Sequence, residues 1–226
     1  MIPVAIYHCP VRGKFGLPRQ SGVAPELRGS VALEPDFKDA NALRGLEKFD
    51  YAWLLWGFSE NRDGKWRPTV RPPRLGGNAR MGVFATRSPY HPNAIGLSCV
   101  RIESIDFSNC VIYVSGADLA DGTPVYDIKP YLSYTDSHPD ARCGFVSDQD
   151  WSTLEVDFPE DLRKRMSAEE VSALTQLLSQ DPRPRYQDSP GRVYSVLFRP
   201  YDVKFTVEDG RVKVLSFEEP RPDTSG

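Results

Sequence analysis

The sequence predicts a mainly β protein: a β-barrel domain over residues 1–150 with a small C-terminal α+β domain over residues 151–226. Three observations carry that expectation. Apolar runs in the first part are short, rich in Val, Ile and aromatics, and bounded by Gly, Pro, Asn or Asp. The loops between them are long, which favours a closed barrel over a sandwich. Past the segment 134–145 the pattern changes to one amphipathic helix and two paired strands.

Strands are expected at 4–9, 30–34, 50–58, 82–86, 96–104 and 110–116. Between the second and third, residues 36–49 carry Ala40, Leu43 and Leu46 at three-residue steps and read as one short helix. In the C-terminal part, Ser167 is a helix N-cap and Glu170 completes a capping box. Val171, Leu174, Leu177 and Leu178 make the apolar stripe, and Asp181-Pro182 ends it. Strands follow at 192–198 and 202–217, the second folded at Asp209-Gly210, a hairpin turn pair. The last nine residues are expected to fray.

The chain has 226 residues, 40% hydrophobic and 26% charged, which is ordinary for a globular protein. A net charge of −3 excludes a generally basic nucleic-acid binder, so any polyanion must be met by a local patch. No run approaches the ~18 apolar residues of a spanning helix, so a cytoplasmic protein without membrane contact is expected. The four cysteines are scattered without CxxC spacing and read as free thiols. The three histidines have no ligand-spaced neighbours, and no metal site is expected.

Three stretches carry candidate chemistry. From Arg62 to Arg87 there are seven basic residues against one acid, Asp63. Arg71, Arg74, Arg80 and Arg87 sit there among prolines and Gly76-Gly77. Proline limits the freedom of the unfolded loop, and arginine forks bind carboxylates and phosphates in a two-point fashion. This is an anion-handling surface, or a solvated loop paired with surface carboxylates. The second stretch, Ser115 to Ser137, delivers Asp127, Lys129, Tyr131, Tyr134 and Asp136 within ten residues. If extended, it places Asp127, Lys129 and Tyr131 on one face, either a proton-handling set or a salt-bridged polar strand. The third, Gly16 to Gly22, is a hydrogen-bonding loop. No nucleophile elbow, dinucleotide fingerprint or P-loop is present.

Taken together, "PRQSG" (18–22), "RGLEKFDYAWLLWGF" (44–58), "RPPRLGGNARMGVFATRSPYHPNAIGLS" (71–98) and "DLADGTPVYDIKPYLSYTDS" (118–137) resemble the TrmO (TsaA-like) family. "DPRPRY" (181–186) resembles part of the C-terminal extension of its bacterial members. The resemblance covers nearly the whole chain. It implies an S-adenosylmethionine-binding β-barrel and N6-methylation of threonylcarbamoyladenosine, the modified base just 3′ of the tRNA anticodon. It also implies a homodimer with the cofactor near the subunit interface.

By the same resemblance Gln20, Ser21, Gly22, Ser59, Glu60, Arg87, Leu97, Ser115, Gly116, Ala117 and Asp118 contact the cofactor. Arg87 could pair the cofactor carboxylate, and Asp118 could accept from ribose hydroxyls or the adenine amine. For catalysis the candidates are Asp127 or Asp136 as base, Lys129 and Tyr131 shaping the field, and Asn93 orienting substrate. For tRNA they are Arg71, Arg74 and Arg80, with Arg183, Arg185 and Tyr186 in the C-terminal unit. "DPRPRY" reads equally as a structural turn. Two departures stand out: family members often read His-Gln at Ser59-Glu60, and Arg-Pro-Asn-Pro at His91-Pro92-Asn93-Ala94. A small-molecule acceptor on the same barrel and a non-enzymatic RNA-binding module are the competing expectations.

Overall fold

A computed structural model describes residues 1–12, 16–59, 65–72, 79–147, 152–183 and 191–218. In chain order the elements are β1 (Ala5–His8), β2 (Arg28–Leu33), α1 (Ala40–Leu43), β3 (Tyr51–Gly57), β4 (Thr69–Val70) and β5 (Met81–Gly82). Then come β6 (Ile95–Asp106), β7 (Val111–Ser115), β8 (Thr123–Pro130) and α2 (Ser133–Asp136). The C-terminal part holds β9 (Glu155–Asp157), α3 (Glu160–Arg163), α4 (Ala168–Ser179), β10 (Tyr194–Phe198), β11 (Tyr201–Glu208) and β12 (Arg211–Glu218).

Six strands close into a barrel in the order β1-β2-β7-β6-β3-β8, every neighbour antiparallel. Alternation sends Ala5, Tyr7, Val31, Leu54, Trp56, Val100, Ile112, Val114 and Val125 inward as one apolar core. Trp56 sits at one end of this core, opposite Gly96 on the neighbouring strand. Only a glycine fits there: a Cβ on Gly96 would lie 2.2 Å from the indole.

The second core lies between α4 and the sheet β10-β11-β12-β9. Leu174, Leu177 and Leu178 face Val196, Phe205, Val212 and Val214. The capping box at Ser167 and Glu170 forms as the sequence predicts, and Asp209-Gly210 turns the β11–β12 hairpin with both φ angles positive, 48° and 73°. Val11, Ala24 and Leu27, from the first thirty residues, are buried in this C-terminal core. Residues 10–12 also extend its sheet: the Arg12 N–H donates to the Leu197 carbonyl at 3.2 Å, and the Arg199 N–H to the Pro10 carbonyl at 2.8 Å. Cys9 packs against both cores, and burial pushes its thiol up to about 12.

Three local expectations change. Residues 36–49 form a 3₁₀ turn, the four-residue α1 and a second 3₁₀ turn, because Gly45 enters the left-handed region at φ 93° and stops the helix. At 82–86 the expected strand shrinks to β5 followed by a 3₁₀ turn at Val83–Ala85. Thr86 caps that turn through its hydroxyl on the Val83 carbonyl at 2.7 Å, so only Val83 faces inward and Phe84 is left 78% exposed. The short β9 pairs in parallel with β12 and was not expected as a strand.

Candidate active site

The loop 16–27 folds over one end of the barrel. The Gly22 N–H donates to the Gly116 carbonyl at 2.7 Å, and the Ser21 hydroxyl accepts the Cys99 N–H at 3.2 Å. Gly116 has φ 75°, and a Cβ there would stand 3.6 Å from the Gly22 backbone. That is ordinary contact; what calls for glycine at both positions is the left-handed backbone, at φ 82° for Gly22 and 75° for Gly116. Arg87, from the turn after β5, donates to the Gln20 side-chain oxygen at 2.6 Å.

At the centre of this mouth is Asp118. Its carboxylate accepts from the Ser98 hydroxyl, which in turn accepts the Trp56 indole N–H at 2.9 Å. Burial raises the Asp118 carboxyl above the ordinary range; the Ser98 hydrogen bond and the Arg87 charge oppose that shift without cancelling it. The result is a largely buried carboxyl group with the Arg87 guanidinium and backbone amide donors around it. The structure thus brings Gln20, Ser21, Gly22, Arg87, Gly116 and Asp118 together at one end of the barrel. Leu97 is half exposed and points to the opposite face of β6 from the buried Ser98, so the strand end presents a polar and an apolar side at the same place.

Ser115 and Ala117 do not present side chains to this mouth. The Ser115 hydroxyl donates to Glu103 at 2.6 Å, and Ala117 is fully buried in the barrel core. They shape the backbone that carries Gly116 and Asp118. Ser59 is exposed at the end of β3, next to Phe58, whose N–H donates to the Ala94 carbonyl at 3.0 Å. Asn93 is exposed in the adjoining turn, which Ala94 completes at φ 47°. Glu60, Arg74, Arg185 and Tyr186 lie outside the described residues.

The stretch from Asp127 to Tyr131 lies on the outer wall. β8 pairs with β3, and β3 with β6, so Asp127, Leu55 and Leu97 form one row and Lys129, Trp53 and Cys99 the next. Asp127 thus shares a face with Leu97 at two strand spacings, roughly 10 Å. Lys129 bridges Asp127 at 2.8 Å, with both side chains partly in water. Tyr131 packs its ring near Tyr51 and Trp53, at 6.1 and 5.9 Å. Asp136 is differently engaged: it accepts the Trp53 indole N–H at 2.9 Å and the Leu132 N–H at 3.0 Å, which hold its carboxyl below the usual range.

Arg71 and Arg80 are exposed where the β4–β5 ribbon opens, immediately beyond the paired Val70 and Met81. Arg67 covers the Tyr90 ring at 4.2 Å. In the C-terminal unit, Arg183 is half-buried in a two-point ion pair with Asp181, at 2.7 and 3.0 Å. The sequence reading did not single out Trp56, Ser98, Phe84 or Arg19. All four lie inside the stretches that carry the resemblance: Trp56 in 44–58, Phe84 and Ser98 in 71–98, and Arg19 in 18–22. No periodicity marks them, because each is defined by a partner more than twenty residues away or by its exposure.

A closed antiparallel barrel with a cluster of polar, partly buried side chains at one mouth and an α+β unit docked beside it defines the class. Residues 6–137 match the family model described as the tRNA-methyltransferase O N-terminal domain, and residues 152–220 match the TrmO C-terminal domain. The chain belongs to the TrmO family. It is 38% identical to the tRNA (adenine(37)-N6)-methyltransferase of Escherichia coli K12, over 95% of this chain and 96% of that one. It is 44% identical to a putative S-adenosylmethionine-dependent methyltransferase of Pseudomonas aeruginosa, over 84% of each chain. The crystal structure of TrmO from Pseudomonas aeruginosa aligns with a TM-score of 0.78 at 33% identity, covering 96% of both chains.

Proposed function

We propose that this protein is an S-adenosylmethionine-dependent methyltransferase acting on N6 of the adenine at position 37 of tRNA, in its threonylcarbamoyl form. One observation carries this reading: Gln20, Ser21, Arg87, Ser98 and Asp118 converge at the barrel mouth of a chain that matches such enzymes over its whole length.

The residues present fit the cofactor. S-adenosylmethionine carries a carboxylate, an ammonium, ribose hydroxyls and an adenine amine. Arg87 offers a fork for the carboxylate, Asp118 accepts from hydroxyls or an amine, and the half-exposed Leu97 offers an apolar wall. The Gly22 N–H bond to the Gly116 carbonyl holds the loop at the mouth where these groups meet. When bound, the cofactor supplies an electrophilic methyl group.

Chain residues then position and deprotonate the acceptor. The acceptor nitrogen belongs to a urea-like group; its lone pair is delocalised and its proton must leave. Asp127 is the favoured base, because its outer-wall row includes Leu97; Lys129 holds its Oδ2 and the Ile128 N–H donates to its Oδ1 at 2.8 Å, which together fix the carboxylate's orientation. Asp136 lies beyond β8 on α2 and gives its Oδ2 to both Trp53 and the Leu132 N–H; in this reading it positions the wall. Alignment of the acceptor with the methyl carbon is the main demand on the site, at roughly 3–3.5 Å.

The tRNA is met by Arg71 and Arg80 on the ribbon, and by the exposed Phe84, whose ring stands edge-on to His91 at 5.6 Å. An exposed aromatic flanked by arginines suits a phosphate chain with unstacked bases. A homodimer is supported by the outer wall, where Tyr51 and Leu97 are 42% and 50% exposed beside Trp53 and Leu55. Among the described residues no helix is long and apolar enough to cross a membrane, which accords with a cytoplasmic site of action.

The test is methyl transfer from labelled S-adenosylmethionine to tRNA with and without threonylcarbamoyladenosine. Label in the modified pool alone supports the reading. Label in neither, with the cofactor bound, removes tRNA as acceptor.

A further inference from the structure

The loop that carries Gln20, Ser21 and Gly22 has two sides. One faces the barrel mouth. The other rests on the C-terminal unit, which joins the chain more than a hundred residues later. The Glu26 N–H donates to the side-chain oxygen of Gln176 on α4 at 3.0 Å. The Arg19 guanidinium donates to the Asp181 carbonyl, just past the end of α4, at 3.0 Å. Ala24 and Leu27 are buried to 1% and 0% exposure in the same apolar core as Leu174 and Leu177. Gly16 lies so close to β10 that a Cβ on it would meet Val196 at 2.0 Å.

We propose that the C-terminal unit is the bed on which the cofactor loop is held, with Arg19 and Gln176 as positioning residues that set the affinity for S-adenosylmethionine. This rests on the methyltransferase reading above. Among its described residues, the connection from β1 to β2 contains no helix or strand of its own apart from the bridge at Val11. A loop of that length carries a large ordering cost, which its contacts must offset before a ligand arrives. On the barrel side the tip is held by backbone and hydroxyl contacts at Ser21, Gly22 and Leu27. The two C-terminal anchors flank that tip, one immediately before Gln20 and one four residues after Gly22.

Gln20 in turn engages Arg87, whose charge faces Asp118. Loosening Arg19 therefore lowers the fraction of molecules in which the Gln20–Arg87 pair is formed. Apparent affinity falls by that fraction, while chemistry in the saturated complex does not change. A role in tRNA contact alone would leave cofactor affinity untouched. A merely structural role would lower stability without separating cofactor affinity from turnover.

The experiment is calorimetric titration of S-adenosylmethionine into the full chain, comparing wild type with Arg19→Ala, Gln176→Ala, their double variant and Gln176→Glu. Each single alanine variant is expected to weaken binding roughly five- to tenfold, the scale of one net hydrogen bond, and the double variant further. Gln176→Glu keeps an acceptor for the Glu26 N–H and restores near-wild-type affinity. At saturating cofactor, kcat and the KM for tRNA remain at wild-type values. Without cofactor, amide hydrogen exchange of residues 19–27 speeds up in the alanine variants while β3 and β6 stay protected.

Unchanged affinity in the double variant, with wild type binding normally, overturns the proposal and leaves the methyltransferase reading intact. Loss of protection throughout the barrel overturns it too, since the contacts would then be general scaffolding. Failure of the wild type itself to bind S-adenosylmethionine overturns both.

Discussion

The Ser98 hydroxyl donates to the Asp118 carboxylate while it accepts the Trp56 indole N–H, so a side chain from inside the barrel is tied through one hydroxyl to the acid at its mouth. The relationship is local in space and remote in sequence: Trp56 is on β3, Ser98 on β6 and Asp118 beyond β7. It makes the polar cluster at the mouth an extension of the core. Its cost is a carboxylate kept largely out of water, with Arg87 supplying only partial compensation.

That cost predicts a pH-dependent trade between stability and binding. Burial raises the Asp118 pKa, so its contribution to stability is fully present below the unfolded carboxylate range and is lost as pH rises through the folded value. Above the unfolded carboxylate range the buried group therefore destabilises the cofactor-free protein. Asp118→Asn removes the charge and keeps an acceptor for Ser98. Its melting temperature should exceed that of wild type at neutral pH, on a scale of roughly 2–4 °C per kcal/mol for a chain of this size. The gap should close as pH falls below the carboxylate range, and cofactor affinity should drop. Thermal scans across pH, paired with calorimetry, check both; a variant less stable than wild type at neutral pH would contradict this account.

Gly96→Ala tests the other end of the same chain of contacts. The new methyl would lie 2.2 Å from the Trp56 ring, which cannot move without displacing its bond to Ser98. Overpacking of this kind costs about 1–3 kcal/mol. Denaturant unfolding should show that loss, with weaker cofactor binding alongside it. Wild-type stability and affinity together would mean that the mouth is looser than the contacts indicate.

Phe84 gives a prediction about RNA. A phenylalanine 78% exposed on a capped turn, three residues before Arg87, cannot be there for the core. Phe84→Ala should raise the KM for tRNA several-fold, since base–aromatic stacking is worth about 1–3 kcal/mol. Cofactor affinity and melting temperature should hold, because the side chain buries little. Phe84→Tyr keeps a stacking face and should behave as wild type. Steady-state kinetics with tRNA varied at saturating cofactor decides it; an unchanged KM in Phe84→Ala would remove the ring from the RNA surface.

What could be read from the sequence follows a physical division. Strands with strict alternation, the capping box at Ser167 and the turn at Asp209-Gly210 are local signals, and all three appear in the structure. The turn at Val83–Ala85 is not distinguishable from a strand locally, because both place one apolar residue inward; the Thr86 hydroxyl decides between them. β9 has only three residues and exists because β12 offers it an edge. Within the site, Gln20, Arg87 and Asp118 emerged from a resemblance, and geometry then joined them. Ser98 and Arg19 needed geometry outright, since a serine in a strand and an arginine in a loop carry no pattern until their partners are known. Asp127 and Asp136, alike in sequence, separate through their partners: Lys129 and the Ile128 N–H hold both oxygens of the first, and Trp53 and the Leu132 N–H share one oxygen of the second.

That separation yields a further prediction. Asp127→Asn should leave cofactor affinity nearly intact and lower kcat, by a factor within the roughly 10²–10⁴ range of general-base catalysis. The side chain is partly solvated and shares its charge with Lys129, so folding should change little. Asp136→Asn should behave differently. Its carboxylate binds Trp53 and the Leu132 N–H, and its lowered pKa means that this contribution to stability is present above the ordinary carboxylate range and fades as pH falls through the folded value. The variant should shift tryptophan fluorescence and lose stability at neutral pH, with a smaller loss of kcat than Asp127→Asn. Single-turnover methyl transfer at saturating cofactor and tRNA compares the two directly. Full turnover in Asp127→Asn would refute its assignment as base, and a larger loss in Asp136→Asn would transfer that role to the residue held by Trp53.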